Sequence, residues 1–285
     1  MAPTGCILGQ GAVWSPSEGF LWWVDHKRAK LHRHNPRTGN TRRYDMSIKA
    51  AALALCDGAL LMAGEQEIGL YDPATEAYTR WVVLEDEPAG ACISTGGVAP
   101  DGSFWFATKD RDQRDPIASY YRMGADRRPE RIRMPSVMKP TGMQFSPDGK
   151  TLTTCDTTEH EILQYGVGSD VASVTGRSSL AFTVEEGGQP HDVALDQEGG
   201  VWTCISGGSR LIRYSRSGEV DQVVALAAPY PTACVFGGPD MRTLFIVTSR
   251  EEMSFTALDA RPLSGSLFAL NVDVPGVPHT EYLSN

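Results

Sequence analysis

Gly97-Val98-Ala99-Pro100-Asp101-Gly102-Ser103-Phe104-Trp105-Phe106-Ala107-Thr108 reads as one β-hairpin. A small pivot and a short apolar run lead into Pro-Asp-Gly, whose Asp-Gly step suits the positive-φ positions of a tight turn. The run that follows is aromatic and small, which suits a half-buried pleated surface.

The same pattern recurs along the chain. Ser-Pro-Asp-Gly at 146 to 149, Asp-Gln-Glu-Gly at 196 to 199 and Gly-Pro-Asp at 238 to 240 each precede an apolar run such as Val201-Trp202-Thr203-Cys204 or Leu244-Phe245-Ile246-Val247. Repeats begin near Gly11, Ala51, Gly97, Gly142, Asp192 and Ala233, a spacing of roughly 40 to 50 residues, as four-stranded propeller blades require. No stretch carries the three-and-four spacing of an amphipathic helix, and glycine and proline interrupt the chain too often for one. The expected fold is all-β: a six-bladed β-propeller of four-stranded antiparallel blades around a central channel, with residues 1 to 285 forming a single domain.

The composition fits one large β domain. Hydrophobic residues make up 41% of 285, and no proline-, glycine- or serine-rich linker divides them. A net charge of −9 argues against nucleic acid or an anionic membrane as a partner. The start of the chain, Met1 to Leu8, lacks a basic leader and an apolar run, and no stretch is long enough to span a bilayer, so a cytoplasmic location is expected. Six cysteines, Cys6, Cys56, Cys92, Cys155, Cys204 and Cys234, show no Cys-x-x-Cys spacing, and most fall inside strand patterns as small apolar residues.

Leu8-Gly9-Gln10-Gly11-Ala12-Val13-Trp14, Leu21-Trp22-Trp23-Val24-Asp25 and Leu31-His32-Arg33 resemble the opening blade of the senescence-marker-protein (regucalcin), gluconolactonase and luciferin-regenerating-enzyme family. The likeness continues through 97 to 108, 140 to 149, 190 to 202, 231 to 240 and 262 to 268, essentially the whole chain. The resemblance implies a pocket at one mouth of the propeller, where a divalent cation assists hydrolysis of sugar lactones or related esters. In the family the metal and substrate are met by Glu in Gly-Glu-Gly-Pro, Asn in Asn-Asp-Gly, Asn in Pro-Asn-Gly and Asp in Pro-Asp-Gly. Here Gln10, Ser94, Thr141 and His191 stand at those places.

Such a set carries two fewer negative charges than the family pattern, whereas a hard dication seeks anionic oxygens to offset its charge. No cofactor is therefore expected. A divalent cation (Ca, Zn, Mn, Mg or Fe) held by Gln10, Ser94, Thr141 and His191 is the alternative. His191 titrates nearest neutrality and is the candidate general acid or base, with Gln10, Ser94 and Thr141 as donors to a developing oxyanion. Each also has a plainer reading, a bond to nearby turn backbone or, for His191, to a neighbouring carbonyl. Cys92 stands where family members often carry a substrate-binding Arg; it is either a nucleophile activated by His191 or, the favoured reading, a small wall residue.

Other residues rank lower. Asp25 and His26 are adjacent and should face opposite ways; Glu65 reads as a solvated loop charge, Asp156 as a turn organiser, and Arg127 to Arg133 as a solvated strand face. The loops 111 to 117 and 251 to 260 are expected to shape the pocket. Three functions are carried forward: an enzyme acting on a small lactone or related carbonyl compound without a tight metal, through hydrolysis, proton transfer or cyclisation; a metal-dependent sugar lactonase with rearranged ligands; and a non-catalytic propeller binding a small molecule or a protein. Oligomeric state is open.

Overall fold

Turn residues and apolar strands alternate so regularly that the chain closes on itself as a ring. The structure is a computed structural model describing residues 1–168, 174–183, 187–251 and 253–284. Six antiparallel sheets follow one another in chain order, each a simple meander. Their first, innermost strands are Gly9–Ser15, Ala52–Cys56, Ala91–Val98, Pro140–Phe145, Gln189–Leu195 and Tyr230–Gly237. Blades 1 to 5 have four strands; blade 6 has three, Tyr230–Gly237, Thr243–Ser249 and Leu267–Asn271. Its fourth place is taken by the start of the chain, where Ala2 and Leu267 exchange two backbone bonds of 2.9 Å. That exchange closes the ring with a single β-bridge from the far end of the sequence.

The core lies between blades. Among the described residues, six clusters of buried side chains fill the six interfaces, including blade 1 against blade 2 around Trp22 and Tyr71, and blade 6 against blade 1 around Trp14 and Phe245. Trp22, Trp23, Trp105 and Trp202 are all fully buried. The Pro-Asp-Gly turns behave as read, with Gly102 and Gly149 at φ 80° and 70°, and Gly199 of the Asp-Gln-Glu-Gly turn is at φ 80°. One departure from the all-strand expectation is a short helix, Phe255–Ala260, capped by Ser254 and burying no residue. Its upstream neighbour Glu252 lies outside the described residues. The last part of the chain crosses the end of the channel away from the candidate site, with Val277, Tyr282 and Leu283 donating backbone bonds to Leu195, Leu55 and Gly102. No helix among the described residues is long and apolar enough to cross a membrane.

One local device positions the site. Five of the six inner strands carry a register shift against their neighbour, at Gln10/Val13, opposite Ala107/Thr108, at Thr141/Met143, at Pro190/Asp192 and at Pro231/Ala233. Ser94, Gly142, His191 and Thr232 are the extra residues in four of these, and Gly11 with Ala12 in the first. A bulge bends its strand and re-aims side chains. Repeated in five blades around the ring, it turns one segment of each of them toward the channel mouth.

Candidate functional site

Gln10, Cys92, Ser94, Thr141 and His191 line one cavity of about 130 Å³ at the mouth. A smaller void of about 50 Å³ shares Gln10, Ser94, Thr141 and His191 and leads into the channel. Larger clefts exist, one of about 420 Å³ beside Asp148 and Arg216 and one of about 220 Å³ under Val277 to Thr280. Neither gathers the positions picked out by the resemblance, and the mouth does.

Each polar residue there is also tied into the ring. The Ser94 hydroxyl donates to the Pro140 carbonyl at 2.7 Å, linking blade 3 to blade 4. Its hydrogen is thus committed, and toward a ligand the oxygen acts as an acceptor. Thr141 Oγ1 lies 2.7 Å from Thr157 Oγ1. His191 Nδ1 lies 2.9 Å from the Thr232 carbonyl oxygen, linking blade 5 to blade 6. A carbonyl only accepts, so Nδ1 carries the hydrogen and Nε2 keeps its lone pair. The Gln10 amide makes no hydrogen bond among the described residues, and it is half-buried at the mouth.

Burial is the main reason that the His191 pKa is lowered to about 3, with the charges of Lys139 and then Lys109 acting the same way. The imidazole is therefore neutral across the physiological range, with Nε2 ready to accept. Burial also pushes the Cys92 thiol up, although Lys109 and Arg111 oppose that shift. A protonated, buried thiol suits the wall reading of Cys92 better than a nucleophile.

The sequence reading missed several lining residues. Lys109 pairs with Cys92 across the blade-3 hairpin, and Lys139 directly precedes Pro140; both line the cavity, as do Lys27, Arg111 and Glu251. Burial lowers the Lys109 pKa. His26 lines the same cavity, its Nδ1 3.0 Å from the Ala50 carbonyl. Asp25 is buried on the other side, accepting from Ile7 N and Leu8 N at 3.0 and 3.2 Å, so these neighbours do diverge. Glu65 is half-buried and engaged with Arg111. Asp156 accepts from Thr158 N at 3.2 Å, as a turn organiser should. Arg127, from the basic run, lies over Trp81 at 3.9 Å.

Asp192, next to His191, ties blade 5 to blade 6 from below the mouth. Its carboxylate accepts from Cys234 N at 3.0 Å and Val193 N at 2.9 Å, and burial raises its pKa to about 7. The folded state thus holds a proton that the unfolded chain releases near its ordinary value of 3.8. Between roughly pH 4 and 7 a rising pH favours the unfolded state at this residue. Asp192→Asn removes that effect, so the melting temperature of the variant minus that of the wild type is expected to become more positive from pH 4.5 to pH 7. A pH-independent difference would contradict the raised carboxyl.

The residues at this mouth do not suit a hard divalent cation. Among the described residues that line the cavity, Gln10, Gln113, Ser94 and Thr141 offer neutral oxygens, His26 and His191 nitrogens, and Glu251 a carboxylate that Lys27 engages at 2.6 Å, while Lys109 and Lys139 share the same wall. A dication there would give up water beside several like charges, with the one described lining carboxylate already paired to Lys27. No cluster of three or more His, Cys, Asp or Glu side chains placed to hold a metal occurs among the described residues.

Comparison with known proteins agrees with the architecture. The sequence pattern described as the SMP-30/Gluconolactonase/LRE-like region matches residues 8–250. The chain is 33% identical over 274 residues to 6-deoxy-6-sulfogluconolactonase from Pseudomonas putida, covering 95% of this chain and 93% of the relative. It is 30% identical over 274 residues to L-arabinolactonase from Azospirillum brasilense, covering 94% and 89%. The crystal structure of a calcium-binding protein, regucalcin, from Agrobacterium tumefaciens superposes with a TM-score of 0.92 at 25% identity, covering 99% of this chain and 95% of that one. A six-bladed ring, a mouth assembled from its inner-strand bulges and a matching pattern over most of the length lead to one conclusion: the chain belongs to the SMP-30/gluconolactonase/LRE-like family.

Proposed function

We propose that this propeller hydrolyses a small sugar-type lactone at its mouth without a bound metal. The observation that carries the reading is the convergence of Gln10, Cys92, Ser94, Thr141 and His191 on one cavity. Its nearest chemical support is that relatives covering nearly the whole chain are named for lactones of a sulfonated gluconate, of arabinose and of pentoses.

In this reading His191 Nε2 accepts a hydrogen bond from the attacking water and takes its proton as the water oxygen bonds to the lactone carbonyl carbon. The carbonyl oxygen becomes an oxyanion, toward which the Gln10 amide donates. Collapse of the tetrahedral intermediate breaks the ring C–O bond, and the departing ring oxygen takes the proton back from Nε2. The product is an open-chain hydroxy acid, which then ionises. His191 is a weak base in the resting site because burial and the Lys139 and Lys109 charges disfavour its cation. The oxyanion offsets those charges as it forms, so proton acceptance and carbonyl attack assist one another. Thr141 and Ser94 shape and hold this wall, and Cys92 fills it as a small neutral side chain.

Proton release from a panel of aldonolactones and simple aromatic lactones, followed with a pH indicator, tests the proposal. Saturable turnover above the uncatalysed rate is expected for at least one sugar lactone. A folded protein silent across the panel would overturn hydrolysis as its activity.

A further inference from the structure

Lys109 enters the mouth from a strand that is anchored on both sides of it. In Phe104–Asp110 it pairs directly with Cys92 of the inner strand, and directly opposed residues share one face of a sheet. Both line the mouth cavity together with Gln10 and His191. The Thr108 hydroxyl donates to the Glu87 carboxylate at 2.7 Å. On the other side the Asp110 carboxylate accepts from Arg114 N and Asp112 N at 2.8 and 3.1 Å. The backbone of Lys109 is thus fixed by its neighbours, and its small partner Cys92 leaves the ammonium room over the cavity.

Lys109 is half-buried, and among the described residues its ammonium makes no hydrogen bond or ion pair. Glu251 holds Lys27 at 2.6 Å and Glu65 holds Arg111. The remaining titratable groups of the lining, His26 and Lys139, bring no negative charge. Burial lowers the Lys109 pKa from its ordinary 10.5, and the Lys109 charge in turn disfavours a proton on His191. A cation from blade 3 and a neutral imidazole from blade 5 therefore face one small cavity. A partly desolvated ammonium gains most from an opposite charge that appears beside it.

Resting on the lactonase reading, we infer that Lys109 is a catalytic residue: its ammonium meets the lactone carbonyl oxygen, beside the Gln10 amide, and takes up the charge that water attack places there. A resting carbonyl carries only a partial charge, so the contact strengthens as the oxyanion forms and lowers the barrier rather than merely holding substrate. Lys109 keeps its proton throughout. The attacking water still gives its proton to His191 Nε2, and the ring oxygen still receives it. Because the oxyanion offsets the Lys109 charge, the same contact eases the protonation of His191.

The test follows hydrolysis of a neutral sugar lactone by the wild type, Lys109→Met and Lys109→Arg across pH. Lys109→Met is expected to lower kcat about 10²- to 10³-fold, the range for one lost oxyanion donor, and to leave KM within about threefold. Lys109→Arg keeps the charge and should return to within about tenfold of the wild type. Corrected for the uncatalysed reaction, wild-type kcat/KM should fall on the alkaline side, below pH 10.5, as the ammonium is lost. In Lys109→Arg that fall should vanish, which a merely structural lysine would not produce. Unchanged kcat in folded Lys109→Met, or an alkaline fall that persists in Lys109→Arg, would overturn the inference and leave the lactonase reading standing. If Lys109→Met does not fold, the wild-type and Lys109→Arg profiles decide. If no lactone is turned over, the lactonase reading falls, and calorimetric titration decides for Lys109. Its probes are a cyclic phosphonate, with P(O)O⁻ in place of the lactone carbonyl, and the neutral lactam of the same ring. Phosphonate binding at least about tenfold tighter than lactam binding, lost in Lys109→Arg's neutral counterpart Lys109→Gln, would support Lys109 as the oxyanion partner. Equal binding, or none, would overturn that role as well.

Discussion

Replacing His191 with alanine is expected to lower kcat for lactone hydrolysis by about 10² to 10⁴, the range of a positioned general base. The side chain has two jobs that can be separated. Nδ1 bonds the Thr232 carbonyl and helps join blades 5 and 6, which contributes about 1 kcal/mol to stability. In the proposed reaction Nε2 takes the proton of the attacking water. His191→Asn keeps a donor in reach of Thr232 and removes the basic nitrogen, so it should melt close to the wild type and still lose turnover. Activity retained in His191→Asn would show that the residue is only a link between blades.

The second large effect concerns the bulges that aim the site. Gly142 sits at φ 60° between Thr141 and Met143. A Cβ there would lie 2.8 Å from Val193 N and 3.0 Å from Asp192 Oδ1. Gly142→Ala therefore combines a left-handed backbone, costing about 1 to 2 kcal/mol, with crowding against the backbone of the next blade, costing about 1 to 3 kcal/mol. The melting temperature should fall by about 5 to 15 °C, and turnover should fall with it because Thr141 and His191 flank that contact. Gly39 supplies the control: its φ is 74°, and a Cβ would meet nothing within 4 Å. Gly39→Ala should show the backbone cost alone. Equal effects at the two glycines would contradict the packing argument, as would no effect at Gly142.

The ring was legible because its punctuation is chemical. Asp-Gly steps and aromatic runs such as Phe104-Trp105-Phe106 fix hairpins locally, and their period fixes the blade count. The pairing of Ala2 with Leu267 and the crossing of the channel end by Tyr282 were not legible, since single backbone bridges leave no pattern in side chains. The five mouth positions were found through motif resemblance, and they do share a cavity. Lys109 and Lys139 were within reach of the same reading, one at the end of an aromatic strand and one directly before Pro140. Strict alternation could not place them, because the bulge at Ser94 shifts the register by one residue between Ile93 and Thr95. Cys92, Ile93 and Ser94 accordingly all line the mouth. The commitment of the Ser94 hydroxyl to Pro140 was likewise hidden, since its partner lies on the next blade.

In the proposed mechanism the chemistry is carried by His191 and its neighbours rather than by a dication. The most direct test is the initial rate of lactone hydrolysis by protein exhaustively treated with chelator, measured before and after adding calcium, magnesium, manganese or zinc. The full rate is expected to survive chelation, and no added cation should raise it. A rate that falls to background after chelation and returns with one of these ions would contradict it.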